Sequence, residues 1–98
     1  MLIAYIYNKD KTRQITQIFG ILSAEITEKL SDIGTAFFEI STRDTNSEVN
    51  RSITLEALQE MNIVELWHSD GFKEEKFFTG YIAGIEARWE IIKISLKT

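Results

Sequence analysis

Apolar and polar residues alternate with a period of two over most of this chain, the pattern of half-buried β-strands rather than helices. In Thr35 to Ser41, Ala36, Phe38 and Ile40 share one face, while Phe37 lies beside Glu39 on the other. Ile91 to Lys97 repeats the pattern, with Ile92, Ile94 and Leu96 inward and Lys93, Ser95 and Lys97 outward. Leu2 to Tyr7 alternates but is apolar on both sides, Ile3, Tyr5 and Tyr7 lying opposite Leu2, Ala4 and Ile6. Gln14 to Leu30 is a long extended stretch in which Leu22, Ala24 and Ile26 oppose Ser23, Glu25, Thr27 and Lys29. A helix over Ala24 to Leu30 competes, since Ile26 and Leu30 are four apart. The alternation and β-branched content favour strand, with a bend at Gly20.

The stretch from Phe72 to Trp89 organises the rest. It follows a turn signal at Ser69-Asp70-Gly71, itself preceded by a strand from Asn62 to His68. Phe78 and Ile82 share a face, with Gly80 between them leaving room for a close neighbour. After Gly84 the apolar positions become Ile85, Ala87 and Trp89, so the phase has flipped by one residue. A flip at a glycine predicts a β-bulge that bends and twists the strand. Such a strand serves two sheets or turns the corner of a small barrel. Trp89-Glu90-Ile91 must then hold a tight turn without glycine.

Two segments break the alternation. Ser41 to Ser52 contains one apolar residue, Val49, and predicts a long polar loop whose candidate contact residues are Arg43, Asp44, Asn46, Glu48 and Arg51. Ile53 to Met61 places Leu55, Leu58 and Met61 on one stripe behind a Ser52 or Thr54 cap, predicting a short α-helix. The expected fold is mainly β: a small antiparallel β-barrel or sandwich with one short α-helix at about 53–61, forming a single domain over residues 1–98. Phe38, Phe78 and one of Trp67 or Trp89 are expected to fill its core.

Composition narrows the chemistry. At 98 residues, 44% hydrophobic and 27% charged, the chain has the balance of an ordinary globular domain. It has no cysteine and one histidine, which excludes disulfides, thiolate chemistry and the usual zinc sets. A net charge of −4 argues against a nucleic-acid backbone binder. The apolar start stops at Asn8 without a basic region or cleavage site, so no secretion signal is expected, and no apolar run is long enough to cross a membrane. His68-Ser69-Asp70 has the residue types of a hydrolase triad, but neighbours in sequence cannot hydrogen-bond as one; turn chemistry explains them. Glu74 and Glu75 point to opposite faces of a strand. Gly80 and Gly84 are not followed by the lysine and helix of a phosphate loop. Lys9, Lys11 and Arg13, diluted by Asp10, read as a solvated hairpin tip, with an anion contact as the alternative. No catalytic residue, metal, cofactor or small-molecule substrate is expected.

The aromatics point elsewhere. At 11% they exceed what so small a core needs, and Tyr5, Tyr7, Phe37, Phe77 and Tyr81 fall on the faces opposite the core. Apolar residues on both faces call for a second covering layer, the helix or a neighbouring subunit. These five are the candidate interface residues.

The segment Phe-Phe-Thr-Gly-Tyr-Ile-Ala-Gly-Ile-Glu, residues 77–86, resembles the bent glycine-containing strand of the barrel domains in bacteriophage tail-hub and tail-tube-like proteins. The strand and acidic-Gly turn before it, NIVELWHS-DG-FKEEK, and the upstream TAFFEI strand resemble the same domains in order and spacing, over about Leu22 to Leu96. The resemblance implies a structural subunit of a phage tail or tail-like machine: a hub, tube or tail-completion protein. It implies a homo-oligomeric ring that contacts other tail proteins and lets DNA pass without specific binding, within a virion tail assembled in the host cytoplasm. The rival expectation is a small OB- or SH3-like barrel that binds nucleic acid or peptide. That reading needs the basic cluster to join Tyr5, Tyr7 and Phe37 in one stacking surface.

Overall fold

A computed structural model describes residues 1–30, 33–41, 57–88 and 90–98. Its seven strands are β1 (Leu2–Tyr7), β2 (Gln14–Ile18), β3 (Ile21–Leu30), β4 (Ile33–Ser41), β5 (Ile63–Ser69), β6 (Glu74–Arg88) and β7 (Ile91–Lys97). They form one antiparallel sheet in the order β2-β1-β5-β6-β7-β4-β3. The two edge strands, β2 and β3, are consecutive in the chain and separated only by Phe19 and Gly20. In a flat sheet β1 and β3 would stand five strand spacings apart, roughly 24 Å. Here their Cα atoms come within 8 Å. The sheet is therefore rolled into a barrel, closed by one bent stretch whose first half pairs with β1 and whose second half pairs with β4.

Strand β6 performs the same service on the opposite wall. Residues 74–81 pair with β5 and residues 81–88 with β7, and the register slips between Ile82 and Gly84. That is the bulge expected from the phase flip. It puts Ile85 opposite Ile94 where simple alternation would have turned it away. The β6–β7 connection is two residues long, and Glu90 takes the left-handed conformation that a glycine would normally supply, at φ 66°.

The core is the barrel interior: Ala4, Ile6, Ala36, Phe38, Ile40, Val64, Leu66, Phe78, Ile82, Ile94 and Leu96 are all buried, with Ala57 and Leu58 packed onto the same cluster. The expected inward sets of β4 and β7 are as read from the alternation, although Ile92 is only partly buried. Three placements differ. Leu22 is exposed, because a bulge between Ile21 and Ser23 gives the inward position to Ile21. Phe77 packs against the core, because a second bulge, opposite Leu66 and Trp67, inserts it beside Phe78. Trp67 is not a core residue; it lies half-buried on the outer face, and Trp89 lies outside the described residues.

The helix expected over Ile53 to Met61 falls partly outside the described residues, and so does the loop expected over Ser41 to Ser52, all but Ser41, the last residue of β4. In the described part, Ala57 is helical, and Asn62 Nδ2 donates to its carbonyl at 2.8 Å. The helical stripe does not persist to Met61, which is exposed with φ 74° while its N–H donates to Ile82 O.

Candidate functional site

The outer wall of β1, β5 and β6 carries a polar centre inside an aromatic surround. In register, Ile3 lies beside Trp67, Tyr5 beside Glu65, and Tyr7 beside Ile63, which in turn lies beside Tyr81. All are on the face away from the barrel interior. Glu65 is the exceptional member, only 7% exposed although it points outward. A carboxylate so covered must be paired and hydrogen-bonded to stay charged.

Its partners come from three strands and a hairpin tip. Trp67 Nε1 donates to Oε1 at 3.1 Å and Tyr7 OH to the same oxygen at 3.3 Å. Lys11 Nζ donates to Oε2 at 2.7 Å, with Lys76 Nζ 3.6 Å from it. Burial pushes the carboxyl's pKa up, but the Lys11 and Trp67 hydrogen bonds and the two ammonium charges outweigh it and hold Glu65 below the ordinary value of 4.5. Tyr7 is raised, by burial first and then by the adjacent Glu65 charge and its hydrogen bond.

Lys11 reaches this centre because its hairpin tip is built to present it. Asn8 Oδ1 accepts the N–H groups of Thr12 and Arg13 at 2.8 and 3.1 Å, and Lys11 N donates to Asn8 O at 2.8 Å. Lys11 itself sits at φ 56°, a left-handed position tolerated in tight turns. Its ammonium lies 5.4 Å from the Tyr7 ring centroid. Tyr5 and Trp67 meet edge to face at 6.0 Å. Tyr5, Tyr7, Gln14, Glu65, Trp67 and Glu74 line an open hollow of about 110 Å³.

The expected interface residues are thus divided. Tyr5 and Tyr7 border this hollow, and Tyr81 continues the same face past Ile63. Phe37 is on the outer face of β4, with Lys93 Nζ 4.4 Å from its ring centroid. Phe77 belongs with the core. Arg43, Asp44, Asn46, Glu48 and Arg51 lie outside the described residues. The basic cluster does not act together: Lys11 pairs with Glu65, whereas Lys9 and Arg13 line a separate hollow that also holds Asp10 and Glu60.

His68 and Ser69 are the last two residues of β5, and Asp70 opens the turn that follows. Asp70 Oδ1 accepts the N–H groups of Phe72 and Lys73 at 2.9 and 2.8 Å, which holds its carboxyl below its usual range, and His68 is exposed. Gly71 takes φ 93° and Phe72 projects fully into solvent. Among the described residues no group of three or more metal-ligating side chains is gathered, and no helix is long and apolar enough to cross a membrane. Sequence reasoning missed Glu65, which reads as an ordinary outward strand residue. The one available signal was its position between outward aromatics, Tyr7 and Trp67, on paired strands. No protein-family model matches the chain, and no curated protein does.

Proposed function

We propose that this chain is a structural subunit of a phage-tail-like assembly, a small barrel that works by packing against copies of itself and other tail proteins. The observation that carries the reading is the aromatic outer wall of β1, β5 and β6, where Tyr5, Tyr7, Ile63, Trp67 and Tyr81 share one face of a barrel whose interior is already filled. A wall of this kind gains free energy by being covered. The likeness of residues 77–86 to the bent strand of tail barrels supplies the biological setting. Single-stranded nucleic acid is the weaker occupant for the wall, because Lys11 and Lys76, its nearest cations, are both drawn to Glu65.

The test is sedimentation velocity over a range of concentrations, with negative-stain microscopy of the heaviest species. Concentration-dependent rings support the reading. A chain that stays monomeric, alone and with its tail partners, but shifts single-stranded DNA in a salt-dependent gel assay overturns it in favour of the binding module.

A further inference from the structure

We propose that the hollow bounded by Tyr5, Tyr7, Trp67, Glu65 and Glu74 is a binding site for an organic cation, a quaternary or alkylated ammonium, which would compete with Lys11 and Lys76 for the buried carboxylate. The proposal concerns the free chain, because it uses Tyr5, Tyr7 and Trp67 of the wall that the assembly reading covers.

Three features converge. The first is aromatic: Tyr5 and Trp67 stand edge to face at 6.0 Å, with Tyr7 next to them on β1, and an ammonium is drawn to such rings by their electron-rich faces. The second is charge. Glu65 is buried at the floor and Glu74 lies at the rim, so the hollow offers a fixed carboxylate and a solvated one. The third is precedent. Beside the hollow, Lys11 puts an ammonium 5.4 Å from the Tyr7 centroid and 2.7 Å from Glu65 Oε2, and Lys76 brings a second 3.6 Å from that oxygen, which identifies the charge these groups attract.

Lys11 is an exchangeable partner of Glu65. Its side chain is 42% exposed and arrives from a hairpin tip rather than from the barrel wall. Glu65 is also held by Trp67 Nε1 and Tyr7 OH, with Lys76 Nζ 3.6 Å from Oε2, so its position does not rest on Lys11 alone. A competing cation therefore meets a preformed floor. Quaternary ammonium suits the site better than a second primary amine, because the hydrogen-bonding capacity of Glu65 Oε1 is already used by Trp67 and Tyr7 and three aromatic rings line the hollow. The rim residue Gln14 leaves one polar edge for a group attached to the cation.

The experiment follows the indole N–H resonance of Trp67 in the full chain during titration with choline. The neutral isostere 3,3-dimethylbutanol and sodium chloride at matched ionic strength are the controls, and Trp89→Phe secures the assignment. The expected result is a saturable shift with choline alone. Lys11→Ala should bind choline about tenfold more tightly, since its own competing cation is gone. Choline should also raise the melting temperature of Lys11→Ala more than that of the parent. Glu65→Gln should weaken binding in either background. Absence of a saturable shift in both the parent and Lys11→Ala overturns the proposal, and so does an equal response to the neutral isostere.

Discussion

Gly80 faces the backbone of Lys97 so closely that a Cβ built on it would lie 2.5 Å from the Lys97 carbonyl oxygen and 2.8 Å from Phe78 Cε1. The first of these contacts is with main chain, which cannot swing aside as a side-chain tip can. Gly80→Ala is therefore expected to destabilise the fold by about 1–3 kcal/mol, and Gly80→Val by more. Gly84, at the bulge four residues on, meets nothing within 4 Å. Gly84→Ala should leave stability unchanged or raise it by up to about 1 kcal/mol, by restricting the unfolded chain. Denaturant melts of the two alanine variants check the pair, and equal losses at both sites would refute the packing argument.

The Glu65 cluster makes stability depend on acid. Its carboxyl is depressed in the folded chain relative to 4.5, so the stabilisation is fully present above that value and is lost as pH falls through the lower, folded pKa. Glu65→Gln should flatten the acid limb of a stability–pH profile between those two points. Glu65→Ala should cost about 1–3 kcal/mol near neutrality, because Trp67 Nε1 and Tyr7 OH lose their acceptor. Thermal melts from pH 7 downwards measure both. An acid limb in Glu65→Gln as steep as the parent's would assign the effect to another carboxyl.

Asp70 shapes the hairpin that displays Phe72. Asp70→Ala removes the acceptor of two backbone N–H groups at an exposed turn. The amides of Phe72 and Lys73 should then exchange with solvent faster, while amides in β4 and β7 keep their protection. Uniform loss of protection across the barrel would mean that the turn controls global stability rather than its own geometry.

Phe37 tests the assembly reading. It lies half-buried on the outer face of β4 beneath Lys93. Phe37→Lys removes a cation–π contact of about 0.5–1 kcal/mol and places two ammonium groups together, so the barrel should remain folded with slightly lower stability. Association should weaken if this face meets a neighbour. Circular dichroism reads the first effect and sedimentation the second. A folded variant that associates like the parent takes Phe37 out of the interface.

The fold was legible in the sequence wherever alternation ran unbroken, and where it broke at a glycine. Ala36, Phe38 and Ile40 are inward because every second residue of a half-buried strand must be. Gly84 betrayed its bulge because the apolar phase changed beside it. Leu22 and Phe77 were misplaced because their bulges have no glycine at the slip and each has an apolar neighbour, Ile21 or Phe78, that can take the inward place without an obvious change of phase. The hollow was less legible still. Glu65 meets Lys11 across 54 residues of sequence, and only the pairing of β1 with β5 brings them together. Tyr5 and Tyr7 stood out as outward aromatics, but nothing local marked the carboxylate they border.

The corner at Phe19 and Gly20 governs the order in which this chain can fold. The β1–β2, β3–β4 and β5–β6–β7 pairings are local and cheap in loop-closure entropy. The seams Leu2 to His68 and Thr35 to Lys97 each close over most of the chain. Because the corner welds the first two hairpins together, docking β5–β6–β7 against β1 carries β4 towards β7 in the same motion. The two distant seams then form as one step, so the barrel should fold over roughly milliseconds to seconds, without a stable half-closed species. A populated intermediate with the β4–β7 seam protected and the β1–β5 seam open would show that the corner is a hinge.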